Sequence, residues 1–261
     1  MRKTKVLLSD PQVLFREGIH FTISTEEDLE VTGETTNNEE AIAFIEADSP
    51  DIAILNIING KSNAPSVIRH IKRNFPSVSI MLLTDKYEEE LLFVAIKCGV
   101  SAYTKKDINP ECLIELIRMV AQGGQPINES LLIPELASRI LREFDTFSPL
   151  SELLGDILAR LSSGETEILS SIAAGDDIEQ IAINLNRDEE TIRRHLRSVV
   201  DKLVANDQTR FVVEVAQQGL PSIVARLDPT SVYVTKEEFN KFKEALAERF
   251  RSLMIESHRT L

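Results

Sequence analysis

The sequence predicts a chain in two folded parts: a doubly wound α/β domain built on five parallel strands, then an all-α segment followed by one more amphipathic helix. Three observations predict it. Over residues 1–125, short apolar runs alternate with stretches of helical periodicity, and strands so uniformly apolar belong to a parallel sheet covered by helices on both faces. From Glu152 to Leu220 the pattern is helical throughout. The length of 261 residues allows two small domains, each with its own core.

The elements follow in order. Val6–Ser9 is a short strand, and the helix after it carries apolar spacing through Leu14, Ile19 and Ile23. Next come the strand LEVTGE, a helix started by Asn38, the strand Ile52–Asn56, and a helix opened by Pro65 that runs toward Arg73. Ser79–Thr84 is the fourth strand, ahead of a helix Glu88–Lys97 closed by Gly99. The strand Ala102–Thr104 and a helix from Asn109-Pro110 to Ala121 complete the domain. In such a sheet, binding chemistry gathers beyond the C-terminal strand ends, here Ser9-Asp10-Pro11, Asn56, Thr84 and Lys105-Lys106.

Gly123-Gly124-Gln125-Pro126 ends the first domain, residues 1–125. A linker over 126–155 holds one predicted helix, Leu132–Phe144, with Pro134 in its first turn and a break at Ser148-Pro149. The all-α domain spans 156–221, and an extension covers 222–261. In that extension Thr235 and Glu238 form a capping box, and Phe239, Phe242, Leu246, Phe250 and Leu253 step by three and four, as a helix-pairing seam does.

Composition narrows the function. The basic N-terminus leads into an apolar run too short for a secretory segment, and no stretch is long enough to span a bilayer. Cys98 and Cys112, the two cysteines, lack metal or redox spacing, so two reduced thiols in a cytoplasmic protein are expected. No nucleophile–base pair, phosphate-cradling glycine loop or metal cluster is legible, which predicts no enzyme, no cofactor and no metal.

The net charge of −13 opposes nucleic-acid binding unless positive charge is gathered on one element. It is gathered. Residues 156–220 carry 7 Lys+Arg against 12 Asp+Glu, yet Thr191–Leu203 holds Arg193, Arg194, Arg197 and Lys202 against Asp201 alone. On this helix Ile192, Leu196, Val199 and Leu203 make one apolar stripe, and the three arginines project from the opposite side. Ser162 caps the preceding helix and Gly175 closes it; Asp177–Asn184 is the second helix, Asn186 the turn, and Asp188 the cap of the third. An Arg-bearing helix fits the major groove, where guanidinium bridges guanine O6 and N7. The competing reading is a solvated face salt-bridged to Glu189, Glu190 and Asp201.

Leu161–Leu203, with Asn206–Leu220 as a last helix, resembles the LuxR-type DNA-binding domain, with matches that include Glu165, Gly175, Thr191, His195, Lys202 and Leu203. Gly164 and Gln208 stand where that family has Arg. The resemblance implies base contacts from Arg193, Arg194 and Arg197, and phosphate contacts from Thr191 and Lys202. The first domain resembles receiver domains of NarL/FixJ-type response regulators, through KVLLSDPQVLFREG (Lys5–Gly18) and CGVSAYTKKD (Cys98–Asp107). That resemblance implies a flavodoxin-like fold and places the switch aromatic at Tyr103, the site lysine at Lys106 and the hydroxyl at Thr84. It also exposes departures. The phospho-acceptor position reads Asn56, an amide and no nucleophile, and the acidic pair after strand one reads Asp10-Pro11. An atypical receiver without aspartyl phosphorylation is therefore expected, with Asp10 and Lys106 pairing to hold the fold, or with Asn56, Thr84 and Lys106 facing an emptied pocket that takes a small molecule or a partner.

The resemblance also implies binding to an inverted repeat of double-stranded DNA as a homodimer. Val212, Val213 and Ala216 are candidate dimer contacts, as are Phe239, Phe242, Leu246 and Phe250 in the extension. RNA polymerase or a sensor protein is a further candidate partner. The alternative function is an adaptor that uses the helix-turn-helix frame to hold another protein.

Overall fold

The computed structural model describes residues 2–56, 64–154 and 158–218. The chain divides into compact units Met1–Gln208 and Thr209–Leu261, and the description below concerns the first. Five strands, β1 (Thr4–Ser9), β2 (Leu29–Thr35), β3 (Ile52–Asn56), β4 (Ser79–Thr84) and β5 (Ala102–Lys105), form one sheet in the order β2-β1-β3-β4-β5. Every pairing is parallel. The strand order reverses between β1 and β3, so a crevice opens there at the C-terminal strand ends.

Alternation along the strands sorts the core into two layers. Val6, Leu8, Ile54, Met81 and Leu83 face α1 (Val13–Ser24) and α5 (Pro110–Ala121). Leu7, Ala53, Leu55, Ile80 and Leu82 face α2 (Asn38–Asp48), α3 (Ala64–Asn74) and α4 (Glu89–Lys97). The apolar strand runs are thus buried on both sides, as the sequence predicts. Leu14 departs from expectation: it is 89% exposed, while Ile19 and Ile23 carry the buried face of α1. Leu14 falls one position off the buried line of Phe15, Ile19 and Ile23, which are spaced four residues apart.

Beyond α5 a 3-10 turn (Pro126–Leu132) leads to α6 (Pro134–Leu154), then α7 (Ser163–Ala174), α8 (Ile178–Asn184) and α9 (Glu189–Gln218). Two expectations are corrected. Helix α6 does not break at Ser148-Pro149 but runs through it. Proline there deprives the Asp145 carbonyl of its helical donor, and Asp145 is exposed, where solvent can replace a lost backbone bond. Helix α9 is one 30-residue helix, whereas a separate last helix from Asn206 was predicted. The Asn206 side chain does not cap a new helix, because its amide is spent on the Ala159 backbone, accepting from N–H at 2.8 Å and donating to C=O at 2.9 Å. No Gly or Pro interrupts Val204–Gln208, so the helix continues.

Ser162, Gly175, Asn186 and Asp188 take the places predicted for them in α7 to α9. Ser162 and Glu165 close a reciprocal capping box, and Gly175 ends α7 at φ 99°. Asp177 caps α8, and Asn186 takes φ 50° in the turn. The buried faces of α6, α7 and α9 share one apolar cluster with the α3–α4 side of the sheet.

Candidate functional site

Two regions concentrate the candidate residues. At the strand ends, Asp10 and Lys106 meet: Nζ lies 2.7 Å from Asp10 Oδ2, and both side chains are below a tenth exposed. The contact is an ion pair by distance, although the bond directions at the two atoms miss hydrogen-bond geometry. Asp10 Oδ1 accepts the Gln12 N–H at 2.7 Å. The Lys106 ammonium also sits 4.8 Å from the Phe15 ring centroid and 3.5 Å from Asp85. Asn56 is buried beside Asp10, and its side-chain oxygen and nitrogen both lack a hydrogen-bond partner. A small cavity of about 10 Å³ lies against Asp10, Asn56, Ser9, Phe15 and Arg16, room for one water molecule.

The remaining residues of this group turn elsewhere. Thr84 is buried, and its hydroxyl donates to the Lys86 carbonyl at 2.9 Å. The Tyr103 hydroxyl accepts the Glu88 N–H at 3.0 Å and donates to the Glu88 carbonyl, with its ring edge-on to Tyr87. Pro11 is exposed. The structure therefore brings Asp10, Lys106 and Asn56 together and leaves Thr84 and Tyr103 engaged with the loop that precedes α4.

The receiver resemblance implies a divalent cation held by carboxylates, and these residues do not fit one. Mg²⁺ requires near-octahedral oxygen coordination, whereas the buried carboxylate here is Asp10 alone, already neutralised by Lys106. Asn56 contributes a neutral amide, and no group of three His, Cys, Asp or Glu converges among the described residues.

The second region is the N-terminal half of α9. Asp188 caps it, accepting the Thr191 N–H at 2.7 Å and the Thr191 hydroxyl at 3.0 Å. These two bonds hold the Asp188 carboxyl below its usual range. Ile192, Leu196, Val199 and Leu203 are buried on the predicted stripe. Opposite it, Arg194 donates to the Thr191 hydroxyl at 2.9 Å, and Arg197, 57% exposed, reaches Glu190 at 3.2 Å. Arg193 is paired with Glu129 of the 3-10 turn and lies 3.5 Å from Glu189. Lys202 does not stand free. Its ammonium is 2.5 Å from Glu165 of α7.

Sequence reasoning missed Glu129, Asp207 and the role of Glu165, all partners distant in the chain. Arg69 of α3 makes a bidentate pair with Asp207 of α9, at 2.7 and 2.8 Å, and Asp207 is 3% exposed. Glu165 and Lys202 are 37 positions apart, so no local spacing announces them. Val212, Val213 and Ala216 fall on α9, but their side chains lie outside the described residues, as do Phe239, Phe242, Leu246 and Phe250.

A doubly wound domain ahead of a helix-turn-helix with a basic third helix defines a DNA-binding transcription regulator of the response-regulator class. The comparisons give the family. Residues 6–118 match the response regulator receiver domain, and residues 159–215 match the bacterial regulatory proteins of the luxR family. The transcriptional regulatory protein YxjL of Bacillus subtilis is 30% identical over 219 residues, covering 84% of this chain and 97% of that protein. DegU of Brevibacillus brevis is 26% identical over 228 residues, covering 83% and 94%. A solved structure of the Salmonella typhimurium RcsB response regulator matches with TM-score 0.45 at 25% identity, over 78% of this chain and 93% of that one. The chain belongs to the luxR-family response regulators, which are two-component transcription regulators and not enzymes. Among the described residues, no helix is long and apolar enough to cross a membrane.

Proposed function

We propose that the chain is a sequence-specific DNA-binding regulator whose receiver operates without aspartyl phosphorylation. The observation that carries this reading is the buried Asp10–Lys106 pair beside Asn56. Phosphoryl transfer needs a carboxylate nucleophile and a cation to neutralise the moving charge. Here the nucleophile position offers an amide, and the surviving carboxylate is taken by an internal cation. A metal entering this site would have to displace Lys106 from a pocket that screens charge poorly.

In this reading Arg193, Arg194 and Arg197 reach base edges, and Thr191 at the helix N-terminus meets phosphate. The protein acts as a cytoplasmic homodimer on an inverted repeat, a double-stranded site with two-fold symmetry. One observation favours the adaptor reading: Arg193 and Arg197 already have acidic partners within the chain. The magnitudes favour DNA contact. Exposed ion pairs are worth about 0–1 kcal/mol, less than the about 1–3 kcal/mol of a bidentate arginine–guanine contact.

The test is incubation of the purified protein with acetyl phosphate and Mg²⁺, followed by intact-mass measurement and binding to genomic fragments that the protein itself selects. The expected result is no phosphate adduct and unchanged DNA affinity. A phosphorylated residue 56, or DNA binding that appears only after the treatment, overturns the reading.

A further inference from the structure

Glu165 is a carboxylate buried inside the helix-turn-helix part of the chain. It is 3% exposed on α7, yet its carboxylate is fully engaged. It accepts the Ser162 N–H at 2.7 Å, the Ser198 hydroxyl at 2.8 Å and the Lys202 ammonium at 2.5 Å. The first bond belongs to the capping box. The other two cross to α9, one turn apart, on the helix that carries the arginines.

The two helices also share an apolar cluster, with Ile168, Leu169 and Ile172 on α7 and Ile192, Leu196, Val199 and Leu203 on α9. Apolar burial is non-directional, so it holds two helices together while specifying their mutual rotation loosely. A charged carboxylate with three donors is directional and strong. Ser198 and Lys202 continue a line that begins at Arg194, each step being four residues. Fixing that line fixes the azimuth of Arg194 and, one residue from Ser198, of Arg197.

On the helix-turn-helix reading, we infer that Glu165 is a positioning residue for DNA recognition: it sets the rotation of α9 and withholds Lys202 from the DNA backbone. Lys202 is then a structural cation, against the sequence expectation that it contacts phosphate. Burial works to raise the Glu165 carboxyl, but Lys202, the Ser162 N–H and the Ser198 hydroxyl prevail and hold it below its usual value, so the anion persists at neutral pH.

The experiment measures affinity of the full chain for a self-selected genomic fragment and for unrelated DNA, each across a salt series. Each phosphate contact contributes a slope of about 0.9 in log K against log salt. Three variants are compared with wild type: Glu165→Gln, Lys202→Met and the double variant. Lys202→Met is expected to leave the wild-type slope unchanged. Glu165→Gln is expected to lower the ratio of selected to unrelated affinity about tenfold and to steepen the slope by about 0.9 as Lys202 is released. Adding Lys202→Met to Glu165→Gln is expected to abolish that steepening. A slope reduced by about 0.9 in Lys202→Met alone overturns the assignment, and this arm stands even if Glu165→Gln fails to fold. An unchanged affinity ratio in a folded Glu165→Gln protein also overturns it. Wild-type protein that selects no DNA overturns the helix-turn-helix reading itself, a result distinguishable from either of these.

Discussion

At the scale of single residues, the consequential groups are charges whose partners decide what they do. Arg197 is exposed on the side of α9 that points away from its apolar stripe, with an exposed carboxylate contact to Glu190. Its replacement by Ala is expected to weaken binding to a self-selected site by about 1–3 kcal/mol while unrelated DNA is affected far less; equal affinity for the selected site would remove Arg197 from the reading set. Glu165 gives a pH prediction. Its carboxyl is held below the ordinary value of 4.5 in the fold. A depressed acid contributes stability that is present above 4.5 and lost as pH falls through the folded value. Denaturant unfolding of wild type and Glu165→Gln should therefore differ by a constant amount at neutral pH and converge below 4.5. A difference that grows on acidification would contradict the sign. The charge cluster of Arg193, Arg194 and Arg197 was legible in the sequence because it lies on one helix. The partners of those charges were not, because Glu129 and Glu165 arrive from other elements.

At the scale of elements, capping chemistry was readable to the residue. Ser162 and Asp188 each cap the helix expected of them, since a cap is a bond within three residues, while Asp177, expected as the first residue of the second helix, is its cap. Helix ends set by longer range were not readable, as Pro149 within α6 and the unbroken α9 demonstrate. The 3-10 turn Pro126–Leu132 carries an effect on function. Its Glu129 holds Arg193, a base-reading candidate, in a pair with side chains 30% and 58% exposed. DNA must displace Glu129 to use that arginine. Glu129→Gln is expected to raise DNA affinity about two- to fivefold, the size of an exposed ion pair, in a fluorescence-anisotropy titration at low salt. Unchanged affinity would mean that Arg193 does not contact DNA.

At the scale of the whole molecule, the receiver half and the helix-turn-helix half of residues 1–208 share a core, and a buried ion pair crosses between them. Asp207 is 3% exposed and held by Arg69 in a bidentate pair, with Val204 packed over Gly99 nearby. Cys98 lies in the same place, and burial first, then the charge of Asp207, push its thiol up to about 12. At neutral pH it stays protonated and unreactive, while Cys112 is exposed. Thiol titration of the native protein should find one fast cysteine. Arg69→Ala leaves a buried carboxylate unpaired, an about 3–5 kcal/mol penalty relieved by separating the two halves, so Cys98 should become reactive in that variant. A single fast thiol in Arg69→Ala would show that the pair does not hold the halves together. The strands, most of the caps, the apolar stripes and the basic helix are encoded locally, because each is written in periodicity or in contacts a few residues apart. Where the charges on that helix go is settled by long-range folding, because Glu129, Glu165 and Arg69 come to it from distant segments, and nothing in local spacing encodes such a meeting.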